Sequence, residues 1–291
     1  MAAVFFITSA IILVGLFIGS YTDIKTREVP DWLNYGLIVI GIALNLLFSI
    51  IYWNLDYIIN SIAGFIVFLL LALLMFYAGQ WGGGDSKMIM ALGALIGLDV
   101  TFKKFPFLMA FLINILLVGA VYGLLWSIFL AFRNRKKFLS ELKKSLAKKK
   151  IILIRRWLLI LSLAAVVVAL IVKDLAIRIP LLGLVLVIIT TFYLWIFIKA
   201  IEKACMFKYV RPMQLTEGDW IAEDIVVGGK RICGPKDLGI EKKQINLLVK
   251  LYKQNKLKEI LIKEGIPFVP SFLIAFIFSL VYGNLLFLFL S

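Results

Sequence analysis

Long apolar segments alternate with short polar ones along most of the chain. Seven of them are long enough to cross the hydrocarbon core of a bilayer as helices, which takes about 17 to 25 residues. They are residues 2–20, 33–53, 57–77, 106–132, 157–172, 181–199 and 271–290. An eighth segment, residues 85–98, is shorter and rich in Gly, Ala and Met, so we expect neighbouring helices to shield it.

The composition also indicates a membrane protein. Of the 291 residues, 63% are hydrophobic, which exceeds what the core of a soluble domain requires. The pattern therefore predicts an all-α polytopic membrane protein with about eight transmembrane helices.

Basic residues predict the orientation of these helices. Residues 133–156 hold eleven Lys or Arg and one acid, Glu141, which is typical of a cytoplasmic loop. Counting the spans from this loop places the turns at Asp23 and Asp85, and the polar stretch 200–270, on the cytoplasmic side. The count depends on residues 85–98 crossing the membrane.

The net charge of +15 belongs largely to this one loop. Topology and attraction to anionic lipid explain it better than binding of nucleic acid. Within the loop, residues 136–150 have apolar positions at helical spacing, which predicts a surface helix.

The polar stretch 200–270 predicts a small α+β subdomain before the last helix. Residues 220–227 and 230–233 flank Gly228-Gly229 and indicate a β-hairpin with a primed turn. Residues 241–254 have helical periodicity and 258–263 indicate a strand. Two interpretations remain open, a subdomain that helps to seat a substrate and an insertion that only packs on the membrane domain.

Five regions follow from this division of the chain. They are a membrane domain with both aspartate motifs (1–132), the basic loop (133–156), two transmembrane helices (157–199), the cytoplasmic subdomain (200–270) and the C-terminal helix (271–291).

The residue types that are missing limit the chemistry. There is no histidine, so a Ser-His or Cys-His hydrolase and a His-ligated zinc site are excluded. Cys205 and Cys233 lack Cys-x-x-Cys spacing and are expected to be ordinary small residues. No serine lies in a Gly-x-Ser-x-Gly turn. Carboxylates remain as the candidates.

Two aspartates stand out because each lies at the end of an apolar helix, on the same predicted membrane face. Asp23 precedes Ile24-Lys25-Thr26-Arg27, and Asp85 follows Gly82-Gly83-Gly84. An ionisable group at a membrane face is energetically costly, so we expect it to have a function. Asp85 could serve only as a helix cap, but three glycines also permit a close backbone approach that a cap does not require. A pair of carboxylates can activate water for peptide hydrolysis.

These residues resemble a known family. The stretch from Asp23 through Val29-Pro30-Asp31-Trp32-Leu33-Asn34 resembles the first aspartate motif of the type IV prepilin peptidases and archaeal preflagellin peptidases. Gly82-Gly83-Gly84-Asp85-Ser86-Lys87 is similar to their second motif, Gly-x-Gly-Asp. Near the C-terminus, Pro267-Phe268-Val269-Pro270 resembles their Pro-Phe-x-Pro element.

The resemblance implies a membrane aspartic endopeptidase that removes short basic leader peptides from prepilin-like or preflagellin-like precursors, with no cofactor. The first loop has no Cys-x-x-Cys pairs, unlike bacterial members that also methylate the new N-terminus. The archaeal type, without methyltransferase activity, is therefore expected. Presenilin-like proteases share Gly-x-Gly-Asp, but they pair it with other motifs.

We expect Asp23 and Asp85 to share one proton and to act as an acid/base pair. Gly82, Gly83 and Gly84 would let a substrate strand lie against the enzyme backbone. Glu28 and Asp31 either attract the basic leader or are solvated loop charges. Lys87 is expected to hold an aspartate or a lipid headgroup.

Two other classes compete with this hypothesis. A proton- or ion-coupled transporter would also use Asp23 and Asp85, but it predicts an inverted repeat, and none is evident in the sequence. A scaffold for secretion or pilus assembly would need neither aspartate.

Overall fold

The computed structural model describes residues 2–290, and most of them are helical. Eleven α-helices are present in this part of the chain. They are α1 (Ala2–Thr26), α2 (Asp31–Ile51), α3 (Asp56–Tyr77), α4 (Gly83–Ile96), α5 (Phe107–Arg133), α6 (Arg135–Leu146), α7 (Lys149–Ile171), α8 (Leu175–Ile201), α9 (Lys242–Lys253), α10 (Val269–Tyr282) and α11 (Leu285–Leu290).

Six helices are long and apolar enough to cross a membrane, namely α1, α2, α3, α5, α7 and α8. This confirms the predicted class, an α-helical protein that crosses the membrane several times. The helices α4 and α10 have 14 residues each and are shorter than a span. Several helices also extend beyond their predicted limits. Helix α1 continues to Thr26, α7 begins at Lys149 and α8 begins at Leu175.

The prediction of one continuous helix over residues 271–290 is wrong. The chain breaks between α10 and α11, where Gly283 has a left-handed φ of 69°. The side chain of Asn114, on α5, stabilises the break. Its Nδ2 donates to the carbonyl oxygen of Gly283 (2.6 Å), and its Oδ1 accepts from the N–H of Leu285 (3.0 Å). These bonds satisfy backbone groups that a helix end exposes.

The chain divides into two compact units. The first contains the described residues of Met1–Leu125, Val210–Ile260 and Glu264–Ser291. The second contains Trp126–Tyr209 and Leu261–Lys263.

The short helix α4 forms the centre of the first unit. Its side chains are almost fully removed from solvent, as the expected shielding requires. Those exposed by 1% or less are Met88, Ile89, Ala91, Leu92, Ala94 and Leu95. Aromatic side chains of α3, α5 and α10 complete this core, among them Phe68, Phe111 and Phe276.

Glycines allow α3 and α4 to pack backbone to backbone. A Cβ atom on Gly64 would overlap the carbonyl oxygen of Gly93, and one on Gly93 would overlap that of Gly64. Polar side chains of neighbouring helices bind the α4 backbone close by. Ser61 Oγ and Asn45 Nδ2 both donate to the carbonyl oxygen of Ala94, at 2.7 and 3.3 Å. The resulting contact is close and specific, as in other membrane helix pairs with small residues.

Five strands lie in the polar stretch, whereas the sequence predicted three, because β1 was not expected and the predicted strand 220–227 is divided into β2 and β3. They are β1 (Phe207–Val210), β2 (Trp220–Ile221), β3 (Ile225–Val227), β4 (Lys230–Cys233) and β5 (Ile260–Lys263). The predicted hairpin is confirmed for β3 and β4, which pair antiparallel with Val227 opposite Lys230. Gly228 and Gly229 both have positive φ, as a primed turn requires.

The second unit contains α6, α7 and α8, and strands β1 and β5 are hydrogen-bonded neighbours there. The predicted surface helix is present as α6, although it ends at Leu146. Its Phe138 packs edge-on against Phe197 of α8, with 5.4 Å between ring centroids. Much of the apolar surface of α7 and α8 is exposed, as expected for helices that face lipid.

The glycine contact between α3 and α4 should be sensitive to single methyl groups. We expect Gly64→Ala to destabilise the protein by about 1–3 kcal/mol, because the added Cβ displaces the α4 backbone. Thermal unfolding of the purified protein in detergent measures this. Gly36→Ala is the matched control, since a Cβ on Gly36 meets no atom within 4 Å. Equal midpoints for both variants would contradict the close packing.

Candidate active site

Asp23 lies in the last two turns of α1, and it is only 5% exposed. Directly after the helix, Arg27 takes a left-handed backbone conformation, with φ of 63°. This conformation ends a helix and turns the chain towards α2. The positive charge of Arg27 lies within electrostatic range of the Asp23 carboxylate.

The carboxylate of Asp23 accepts hydrogen bonds from the start of α10. The N–H of Val269 donates to Oδ2 at 3.0 Å, and the N–H of Phe268 is a second, weaker donor. A helix N-terminus has unsatisfied N–H groups and a partial positive charge, so a carboxylate is favourable there. Gly19 makes room for this contact, since a Cβ on it would lie 3.3 Å from the side chain of Val269.

Asp85 is the third residue of α4 and is half-buried. Its Oδ2 accepts a hydrogen bond from the N–H of Gly82 at 3.1 Å, so the capping contact considered from the sequence is present. The negative charge of Asp85 also lies within electrostatic range of Asp23. The structure thus brings the two aspartates of the sequence motifs to the same end of the first unit.

Three contacts hold Val29 and the start of α2 against the start of α4. Val29 packs on Gly84, where a Cβ would lie 3.3 Å from the Val29 backbone and side chain. The buried Asn34 donates from Nδ2 to the carbonyl oxygen of Gly84 at 3.4 Å. Lys87 forms an ion pair with Asp31, with 2.6 Å between Nζ and Oδ1.

The three glycines before Asp85 have different surroundings. Gly84 is packed against Val29, so its lack of a side chain has a structural reason. A Cβ on Gly83 would meet no atom within 4 Å, and Gly83 is exposed. The backbone at Gly83 is therefore accessible to another chain.

Aromatic residues connect the two aspartate loops to the start of α10. Trp81, which is 3% exposed, precedes the three glycines. Its ring centroid lies 6.1 Å from that of Phe268 and 5.4 Å from that of Phe272. The start of α10, which binds Asp23, therefore packs on Trp81, in the loop that leads to Asp85.

The subdomain formed by residues 210–260 also contacts the loop between α3 and α4. Gly79 has a left-handed φ of 66°, and a Cβ on it would lie 2.8 Å from the ring of Trp220. The indole thus packs directly on the Gly79 backbone. The subdomain packs on the membrane domain at this point, and the contact is three residues before Gly82.

Acidic side chains gather beside this contact. Asp219, the neighbour of Trp220, lies within electrostatic range of Glu28 and Glu264. Burial raises the pKa of Asp219, and the charges of Glu28 and Glu264 also raise it, whereas hydrogen bonds from Thr216 lower it. Arg27 pairs with Glu264 at 3.7 Å. Of these acidic residues Glu28 is exposed, and Glu264 is paired with Arg27.

The predicted site residues thus fall into two groups. Asp23, Asp85 and the glycines lie together, while Lys87 and Asp31 form a pair at the edge of the same loops. Of the two partners expected for Lys87, an aspartate is the one observed. The contacts of Val269 and Trp220 escaped sequence reasoning, although Pro270 signalled that a helix begins there.

Comparison with known proteins agrees with these motifs. Residues 10–124 match the model of the type IV leader peptidase family. The preflagellin peptidase of Methanocaldococcus jannaschii is 45% identical over 83 residues, which are 28% of this chain and 35% of that protein. The preflagellin peptidase of Methanococcus voltae is 44% identical over 90 residues, 31% of this chain and 38% of that protein.

The preflagellin peptidase of Methanococcus maripaludis is 40% identical over 82 residues, 28% of this chain and 35% of that protein. The chain thus spans somewhat more than a third of the length of the curated relatives it matches. Both kinds of comparison name peptidases, so the ion-carrier alternative is not favoured. They confirm the resemblance to the type IV leader peptidase family, over a segment that carries both aspartate motifs.

Proposed function

We propose that this protein is a membrane aspartic endopeptidase that removes leader peptides from preflagellin-like or prepilin-like precursors. The observation that carries the proposal is that Asp23 and Asp85, which come from different helices, lie within electrostatic range of each other. Both carboxylates are at least half-buried, so the pair has the surroundings that acid/base chemistry needs.

The mechanism follows from the repulsion between two like charges. In a partly desolvated site the two carboxylates do not both ionise easily, so they hold one proton between them. The ionised aspartate takes a proton from a water molecule, whose oxygen attacks the scissile carbonyl carbon. The protonated aspartate donates its proton to the carbonyl oxygen, which gives a tetrahedral diol. The first aspartate then donates the proton it took from water to the amide nitrogen, and the C–N bond breaks as the second aspartate takes back a proton from a diol hydroxyl. No cofactor takes part in these steps.

The accessible backbone before Asp85 supports a way of holding the substrate. An extended peptide would bond to the exposed backbone of Gly83, as an added strand does. Gly82 is less suited to this, because its N–H already donates to Asp85 and its carbonyl oxygen accepts from the N–H of Ser86. Gly84 takes no part in this, because it is packed against Val29. The exposed Glu28, with Asp219 near it, would attract the basic leader. Glu264 and Asp31 contribute less, because Arg27 and Lys87 pair with them.

We also infer that the site faces the cytoplasm, where the leader of such a precursor lies. The eleven basic residues of 133–156 support this orientation. The loop after Asp23 lacks the paired cysteines of bacterial members, which supports a peptidase without methyltransferase activity.

Substitution of either aspartate by asparagine tests the chemistry separately from the capping contacts. Asparagine caps helices about as well as aspartate, so folding should be retained. We expect Asp23→Asn and Asp85→Asn each to lower cleavage of a preflagellin-like precursor by at least roughly 100-fold. Cleavage by membranes with matched amounts of each variant measures this.

The exposed Asp56, at the far end of α3, is the control, and Asp56→Asn should cleave like the wild type. Normal cleavage by Asp23→Asn or by Asp85→Asn would refute the acid/base pair and leave only the capping role.

Trp220 is expected to act as a positioning residue through its contact with Gly79. We expect Trp220→Ala to lower kcat by about 10- to 100-fold with little change in KM, because the loop that leads into α4 and Asp85 is less well held. Trp220→Phe should recover most of the activity, since a flat ring can still pack on Gly79.

Trp53→Ala is the matched control, because Trp53 is 94% exposed. If Trp220→Ala lowers the unfolding temperature but leaves kcat unchanged, the contact serves stability alone.

The acidic residues near Glu28 should affect binding rather than chemistry. We expect Glu28→Gln to raise KM for a precursor with a basic leader by about 2- to 5-fold, since an exposed charge contributes up to about 1 kcal/mol. Added salt should raise the wild-type KM and weaken the difference. Glu223→Gln, a change of an exposed acid in the subdomain of residues 210–260, is the control. An equal effect on a precursor with a neutral leader would exclude charge attraction.

A further inference from the structure

A cavity of about 310 Å³ lies in the first unit, between the end of α3, the loop before α4 and the middle of α5. Its lining is mostly apolar, with the amide of Gln80 as the polar exception. Its lining includes Met75, Gln80, Trp81, Gly119, Ala120 and Phe268.

Two walls of the cavity are directly linked to the two aspartates. Phe268 lies in one wall, and its backbone N–H is a donor to the carboxylate of Asp23. Trp81 lies in another wall, and it directly precedes Gly82, whose N–H donates to Asp85. The cavity is therefore walled by residues that are direct chain neighbours of groups bonded to the two aspartates.

The shape of the cavity depends on a missing side chain. A Cβ on Gly119 would lie 2.7 Å from the ring of Phe268, so the glycine lets that ring lie against α5. On the other side the Phe268 ring packs against Trp81. The aromatic wall is thus held in place from both sides, and the space beside it persists.

We propose that this cavity is a substrate subsite, which takes one large apolar side chain of the precursor from a residue that flanks the cleaved bond. The proposal rests on the proposed peptidase function. Its volume is at the lower end of the range of ligand pockets, which suits one side chain. Apolar lining with a single amide selects for an apolar group, and each methylene group that fits changes selectivity by roughly 10-fold or more.

The test compares precursors that differ only at the two residues on either side of the cleaved bond, with Ala, Leu or Phe at each. The ratio of kcat/KM for Leu or Phe over Ala is measured for one enzyme sample, so the active fraction cancels. At one of the two positions we expect the wild type to favour the larger side chain by about 10-fold or more.

Two variants should shift this ratio in opposite directions. Ala120→Leu narrows the cavity and should move the preference towards Ala. Met75→Ala widens it and should move the preference towards Phe. The control is Val121→Leu, next to Ala120, because Val121 is 59% exposed on α5 and does not line the cavity.

The outcomes separate the subsite from the function on which it rests. If the wild type cleaves but neither variant changes the ratio, the subsite is refuted and a lipid acyl chain is the better occupant. If the wild type cleaves none of the precursors, the proposed function is refuted and the subsite with it. Opposite shifts in the two variants, with no shift in the control, support the subsite.

Discussion

The enclosure of α4 is the constraint on which the rest of the first unit depends. A helix of 14 residues is too short to cross the hydrocarbon core and begins with a carboxylate, so neighbouring helices must surround it. The glycines Gly64 and Gly93 let α3 approach to backbone contact. Because α4 is then fixed on several sides, the position of Asp85 is fixed by packing rather than by a flexible loop.

The two aspartates are tolerated because each is placed at a helix N-terminus. Asp23 accepts from the N–H of Val269 at the start of α10, and Asp85 accepts from the N–H of Gly82 at the start of α4. These dipoles stabilise the charged forms, while the repulsion between the two carboxylates opposes double ionisation. The proposed acid/base mechanism uses this arrangement, because it requires a single charge shared by the two aspartates.

The sequence predicted what local chemistry determines. The apolar pattern predicted the spans, and the turn residues predicted the hairpin at Gly228-Gly229. The absence of histidine left carboxylates, and so the two aspartate motifs, as the candidates for the chemistry. The sequence did not predict features that depend on a side chain far away along the chain. The break at Gly283 depends on Asn114, 169 residues away, and the capping of α10 by Asp23 spans 246 residues. The residue pattern within one segment does not show which distant residue will bind it.

These distant partners lie outside the segment that carries both aspartate motifs. The family match ends at residue 124, and both aspartates lie within it. The donor to Asp23 and the indole that packs on Gly79 come from beyond residue 210. A buried carboxylate without its donor would lose the stabilisation that keeps it ionisable, and the α3–α4 loop would lose its outer support. The chemistry proposed for residues 10–124 therefore depends on the C-terminal third of the chain, which positions both aspartate loops.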